Sequence, residues 1–124
     1  MSKILALTVG SVTGGLLRYY LAGAVHRVAG TNFPYGTLVV NLLGCLVIGF
    51  LSVVAEEKFS LGPTARLLLM TGFCGAFTTF STFILETGNL LKDGQVFTAA
   101  INILASVIIG FAFYRVGILI GEII

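Results

Sequence analysis

The run Gly72-Phe73-Cys74-Gly75-Ala76-Phe77-Thr78-Thr79-Phe80-Ser81-Thr82-Phe83 puts four hydroxyl side chains, two glycines and four phenylalanines into twelve residues. Such a set carries no charge, yet it can offer a small anion a series of moderate hydrogen-bond donors. Ser and Thr hydroxyls donate, and the edge of a phenyl ring is the positive part of its quadrupole. Phe80 and Phe83, three apart, share a face if the helix is regular there. Phe77 continues that stripe one turn earlier. The commoner uses are plain: packing for the rings, a back-bond to the preceding turn for the hydroxyls. Each of Thr79, Ser81 and Thr82 is ordinary alone; their concentration is not.

Other polar residues stand alone in apolar surroundings. Asn41, in Asn41-Leu42-Leu43-Gly44, either bonds across helices or turns its amide donor toward a passing anion. Taken alone, it favours the interhelical bond. Asn102 and Ser106 are four apart, with Thr98 one turn before, so they form a polar line that serves interhelical bonding or a pore wall equally well. Arg18 lies seven residues before the end of its apolar stretch, roughly 10 Å at the helical rise, and is expected to snorkel to the interface. Glu86 follows the hydroxyl-rich run, and an Arg18–Glu86 pair is sterically conceivable. Ionisable groups inside a membrane segment are functional candidates by default. Cys45 and Cys74 have no CxxC spacing and no histidine beside them, which argues against a zinc or redox site.

These residues need elements to hold them, and composition says which kind. The 124-residue chain is 57% hydrophobic and 10% charged, against about 25% charged in a soluble domain. It is an all-α integral membrane protein with a single domain. Four apolar stretches, near 4–25, 37–54, 67–91 and 97–120, meet the requirement of about 20 residues per span. The first reads as a span rather than a cleaved leader. Glu56, Glu57, Lys58, Lys92 and Asp93 read as solvated loop charges. The third span is expected to be broken around Gly75–Thr78, because irregular backbone survives in a membrane only where protein or water satisfies it. Gly10-x-x-x-Gly14 and Gly117-x-x-x-Gly121 have the spacing of close helix contacts. A net charge of +2 with scattered bases excludes nucleic acid as a partner. Four basic residues (Lys3, Lys58, Arg66, Arg115) fall toward the side of the termini and three (Arg18, Arg27, Lys92) toward the other. Orientation is normally set by an excess of such residues on one side. With almost no excess, the chain is expected to insert both ways and to form an antiparallel homodimer.

Gly14-Gly15-Leu16-Leu17-Arg18-Tyr19, Asn41-x-x-Gly44 and Gly72-Phe73-Cys74-Gly75 running into Thr78-Thr79-Phe80-Ser81-Thr82-Phe83 resemble the bacterial Fluc fluoride channels, also called CrcB. The resemblance covers essentially the whole chain. It implies a dual-topology homodimer in the bacterial inner membrane, with two antiparallel fluoride pores that passively export fluoride from the cytoplasm. Phe80 and Phe83 would line the pores and Asn41 would donate toward fluoride. Ser81 and Thr82 would contribute hydroxyls along the path. Arg18 would stand near the mouth and Glu86 near the pore, while Asn102 and Ser106 match less fully. It also implies a structural Na+ at the dimer axis, held by the backbone carbonyls of Gly75 and Thr78.

The main rival is a small dual-topology multidrug-type proton-coupled transporter, which needs a glutamate in its first helix; this first span has no acid. A non-conducting scaffold subunit would leave the Phe80, Phe83 and Asn41 pattern without a role. No nucleophile–base pair is visible, so an enzyme is not expected.

Overall fold

A computed structural model describes residues 2–124, all of whose regular structure is helical. Four helices are long and apolar enough to cross a membrane: Lys3–Ala29, Tyr35–Lys58, Pro63–Lys92 and Val96–Ile123. They run one to four residues beyond each end of the apolar stretches, because a helix continues past the hydrocarbon while its side chains turn polar. Helix α1 (Lys3–Ala29) starts where the Ser2 hydroxyl accepts from the Leu5 N–H at 3.1 Å and ends at Gly30, a capping pattern at both termini. Helix α2 (Tyr35–Val53) widens into a π-helical turn over Val54–Lys58.

The third crossing is composite. Pro63 opens the short α3 (Pro63–Arg66), a π-helical stretch covers Leu67–Cys74, and α4 (Gly75–Phe77) completes the first half. Thr78 and Thr79 are then extended, with φ/ψ of −93°/160° and −150°/115°, before α5 (Phe80–Lys92) resumes. The break expected around Gly75–Thr78 therefore lies at Thr78–Thr79, and Gly75 itself is helical. Two adjacent β-branched residues suit extended backbone, and the Thr79 hydroxyl caps α5 by accepting from the Thr82 N–H at 3.3 Å. Phe77 does not continue the Phe80–Phe83 stripe. The break shifts its register, and it stacks on Phe73 instead, with ring centroids 5.8 Å apart.

Both glycine spacings prove to be backbone contacts. Gly10 and Gly14 of α1 lie on Leu68, Gly72 and Phe73; a Cβ at Gly10 would stand 2.9 Å from the Phe73 nitrogen. Gly117 and Gly121 of α6 (Val96–Ile123) lie on α2, where a Cβ at Gly117 would stand 2.8 Å from the Phe50 nitrogen. Close approach of this kind lets dispersion hold helices together in lipid. Two pairs result, α1 with the first half of the third crossing and α2 with α6. The ends of α2 and α6 meet where Lys58 Nζ donates to Glu122 O at 3.2 Å. The Arg66 guanidinium closes the loop below, donating to Ala55 O and Leu61 O, and pairs with Glu56 at 3.6 Å. Lys58 and Glu56 are thus engaged rather than simply solvated, although an exposed pair of this kind stabilises little.

Candidate functional site

The break in the third crossing frees backbone groups, and specific side chains take most of them. Asn41 of α2 pairs with Thr79 twice. Its Oδ1 accepts the Thr79 N–H at 2.8 Å, and its Nδ2 donates to Thr79 O at 3.1 Å. A primary amide matches a peptide group in shape, so one Asn substitutes for a missing strand neighbour. Nδ2 has a second hydrogen beyond the one given to Thr79. Arg18 Nε donates to Ala76 O at 3.0 Å. Arg18, close enough to the interface to snorkel, is thus tied through Nε to a carbonyl freed at the end of α4.

Three carbonyls are left open, those of Gly75, Phe77 and Thr78. The helical donor for Gly75 O is the Thr79 N–H, which goes to Asn41. The helical donor for Thr78 O is the Thr82 N–H, which goes to the Thr79 hydroxyl. Gly75 is exposed on the flank of the protomer. Among the described residues no group of three or more His, Cys, Asp and Glu comes together to hold a metal. Backbone oxygen is what the site offers a hard cation.

Four cavities lie along the molecule, and each shares wall residues with the next. The outermost, about 440 Å³, has His26, Asn32, Glu86, Asn89, Asp93 and Gln95 in its wall. The second, about 330 Å³, has Arg18, His26, Thr37, Thr79, Thr82 and Glu86. The third, about 380 Å³, is open-sided and mostly apolar, with Asn41, Cys45, Gly75, Thr78, Thr79 and Phe80. The last, about 320 Å³, has Cys45, Ser106, Gly110 and Phe111. His26 and Glu86 join the first pair, Thr79 the second and Cys45 the third. The Asn41–Thr79 bond pair thus stands between the second and third cavities.

The sequence candidates fall into three groups. Asn41, Thr82, Arg18, Glu86, Gly75, Thr78, Phe80 and Ser106 all have a place in a cavity wall. Phe80 is 75% exposed and Phe83 only 8%, their centroids 6.0 Å apart, so Phe83 backs Phe80 from inside the protomer. Ser81, the next residue of α5, is exposed as well. Asn102 is 1% exposed and donates to the Thr87 hydroxyl at 2.9 Å, while Thr87 donates to Phe83 O at 2.7 Å. Of its two readings, the interhelical bond is the one realised within the protomer, tying α6 to α5. The Ser106 hydroxyl is buried without a partner.

Arg18 and Glu86 share a cavity but form no ion pair; Glu86 Oε1 instead accepts from the Thr37 hydroxyl. Sequence reasoning missed Thr37 and His26. Thr37 is one helical turn before Asn41, a spacing that could have found it. Nothing in the sequence marks His26, which reaches the site because α1 packs on α2 with the His26 ring over Gly36.

Residues 5–118 match the family model described as CrcB-like protein, Camphor Resistance (CrcB). A protein of Maridesulfovibrio salexigens named fluoride-specific ion channel FluC is 44% identical over 124 residues, covering 100% of this chain and 98% of that protein. A protein of the same name from Chlorobaculum tepidum is 44% identical over 122 residues, covering 98% and 96%. Another from Geobacter sulfurreducens is 48% identical over 107 residues, 86% of each chain. With its motifs carried on four membrane-length helices and a family match over nearly its whole length, the chain belongs to the CrcB family.

Proposed function

We propose that this protein is a fluoride-selective passive channel of the bacterial plasma membrane, working as an antiparallel homodimer that exports cytoplasmic fluoride through two pores. The observation that carries the reading is the line of four cavities that share walls along one protomer. The names of the relatives supply the ion. Fluoride is small and strongly hydrated, so a narrow route must replace its water with donors at each step. Ions pass quickly only where no site holds them deeply. Asn41 Nδ2, the Thr82 and Ser106 hydroxyls, exposed Ser81 and the Phe80–Phe83 ring pair are moderate donors of that kind. Arg18 is a full charge, but its Nε is spent on Ala76 O, which keeps it at the side of the route.

The homodimer is supported by the open third cavity, whose exposed Phe80 and Gly75 leave one side of the route without a wall. A second copy inserted the other way would complete it, and the near-even charge balance permits that insertion. The freed carbonyls of Gly75 and Thr78 fit a structural Na+ at the dimer axis, since hard cations favour oxygen and unwound backbone presents it. Bound there, the ion would supply fixed positive charge between the two routes. A proton-coupled exporter has no matching support, as α1 lacks the glutamate that such a transporter needs in its first helix.

The test is electrogenic efflux from liposomes carrying the purified protein. Fluoride should leave far faster than from protein-free vesicles, while chloride is largely retained. Equal passage of both ions would overturn the selectivity reading, and no fluoride efflux would overturn the channel itself.

A further inference from the structure

The wall that the outer two cavities share (the neck) holds two ionisable side chains, His26 of α1 and Glu86 of α5. A carboxylate at that point repels an anion. Its hydrogen-bond partner in the protein is the Thr37 hydroxyl, and among the described residues no basic group forms an ion pair with it. His26 has the means to offset it. Its ring sits over Gly36, where the missing side chain makes room; a Cβ there would stand 2.6 Å from His26 Nε2. His26 Nδ1 is buried and has no hydrogen-bond partner. Buried ring nitrogens are almost always partnered; His26 Nδ1 is not, so no protein group competes for a proton on the ring that stands in both cavity walls.

We propose that His26 is the access group of this channel, accepting a proton to cancel the Glu86 charge and to draw fluoride through the neck. The inference deepens the channel reading and rests on it. Imidazole is the side chain that changes charge across the physiological range, so conduction should rise as the solution becomes more acidic. The other charged or titratable groups at the neck are few. Arg18 and Tyr19 come from α1 itself, and Arg27 on the same helix lies toward Gly23. Asp93 follows α5, while α2 and α6 bring no ionisable group to either cavity. Asp93, on the outer side, adds to the negative charge that an entering anion must pass and so strengthens the need for His26 in its protonated form.

The experiment is fluoride efflux from proteoliposomes held at about pH 6 or about pH 8 on both sides, with the leak of protein-free vesicles subtracted. Wild type should conduct roughly tenfold faster at the lower pH, the lower end of what a focused charge does to association rates. His26→Gln should conduct slowly at both values, and His26→Lys, with a fixed charge, quickly at both. Equal wild-type rates at the two pH values would overturn the proposal while leaving the channel reading intact, and this needs no variant to fold. A pH dependence that survives in His26→Gln but disappears in Glu86→Gln would also overturn it, assigning the proton to the carboxylate. Absence of wild-type flux at either pH would instead remove the channel reading beneath it.

Discussion

Asn41 settles a competition that its residue type leaves open. An isolated Asn in a membrane helix serves as a bond between helices or as a donor to a ligand, and here one amide does the first with room for the second. Its bond pair to Thr79 holds the break in a single geometry, and one Nδ2 hydrogen is left over. Asn41→Leu leaves the Thr79 N–H and C=O unpartnered, at about 1–3 kcal/mol for each buried group. Loss of even ~1.4 kcal/mol from the conducting geometry slows passage about tenfold. Fluoride efflux should therefore fall at least about that much, with a lower melting temperature in detergent. Asn41→Asp should separate the two roles. It keeps an acceptor for the Thr79 N–H but sets a carboxylate on an anion route, so stability should suffer less than flux. Wild-type flux in Asn41→Leu would show that the Thr79 pair is dispensable.

At the level of elements, glycine placement decides which helices touch. Gly10 and Gly14 bring α1 onto the Leu67–Cys74 stretch, and Gly117 and Gly121 bring α6 onto α2. The first contact positions the half-helix that carries Gly75, and the second brings Cys45 into one cavity wall with Ser106 and Gly110. Gly117→Val would drive carbon into Leu46 O and the Phe50 nitrogen. Overpacking of this kind costs about 1–3 kcal/mol, read as a lower melting temperature by circular dichroism. Gly88 on α5 meets nothing within 4 Å within the protomer. Gly88→Ala is expected to stay within about 0.5 kcal/mol of wild type. Equal stability of the two variants would remove close packing as the reason for the α2–α6 pair.

For the whole molecule, the open flank at Gly75 and Phe80 carries the proposed assembly and the proposed cation together. If Na+ holds the Gly75 and Thr78 carbonyls at a dimer axis, preparation in a large organic cation with sodium removed should weaken association or flux. Adding sodium back should restore it, because a ligand that binds only the assembled state stabilises that state by mass action. Size-exclusion chromatography and the efflux assay read the two effects separately. Indifference of both to sodium would take the cation out of the architecture.

Much of this was legible in order of appearance along the chain. Apolar runs and the distribution of polar residues determined four membrane helices, a break in the third, and the pairing of Gly10 with Gly14 and Gly117 with Gly121 as contact surfaces. Each is a local property: hydropathy, backbone preference or helical spacing. The tertiary structure decided what depends on which groups meet. It set the break, expected over Gly75–Thr78, at Thr78–Thr79, bonded Arg18 Nε to Ala76 O, gave Asn102 to Thr87, and detached Phe77 from the Phe80–Phe83 stripe. It also brought His26 and Glu86, sixty residues further along the chain, into the walls of the same two cavities. Hydrogen-bond donors and acceptors in a low-dielectric interior must find partners. Which partner each one takes depends on how the helices pack together, and no spacing within a single helix encodes that.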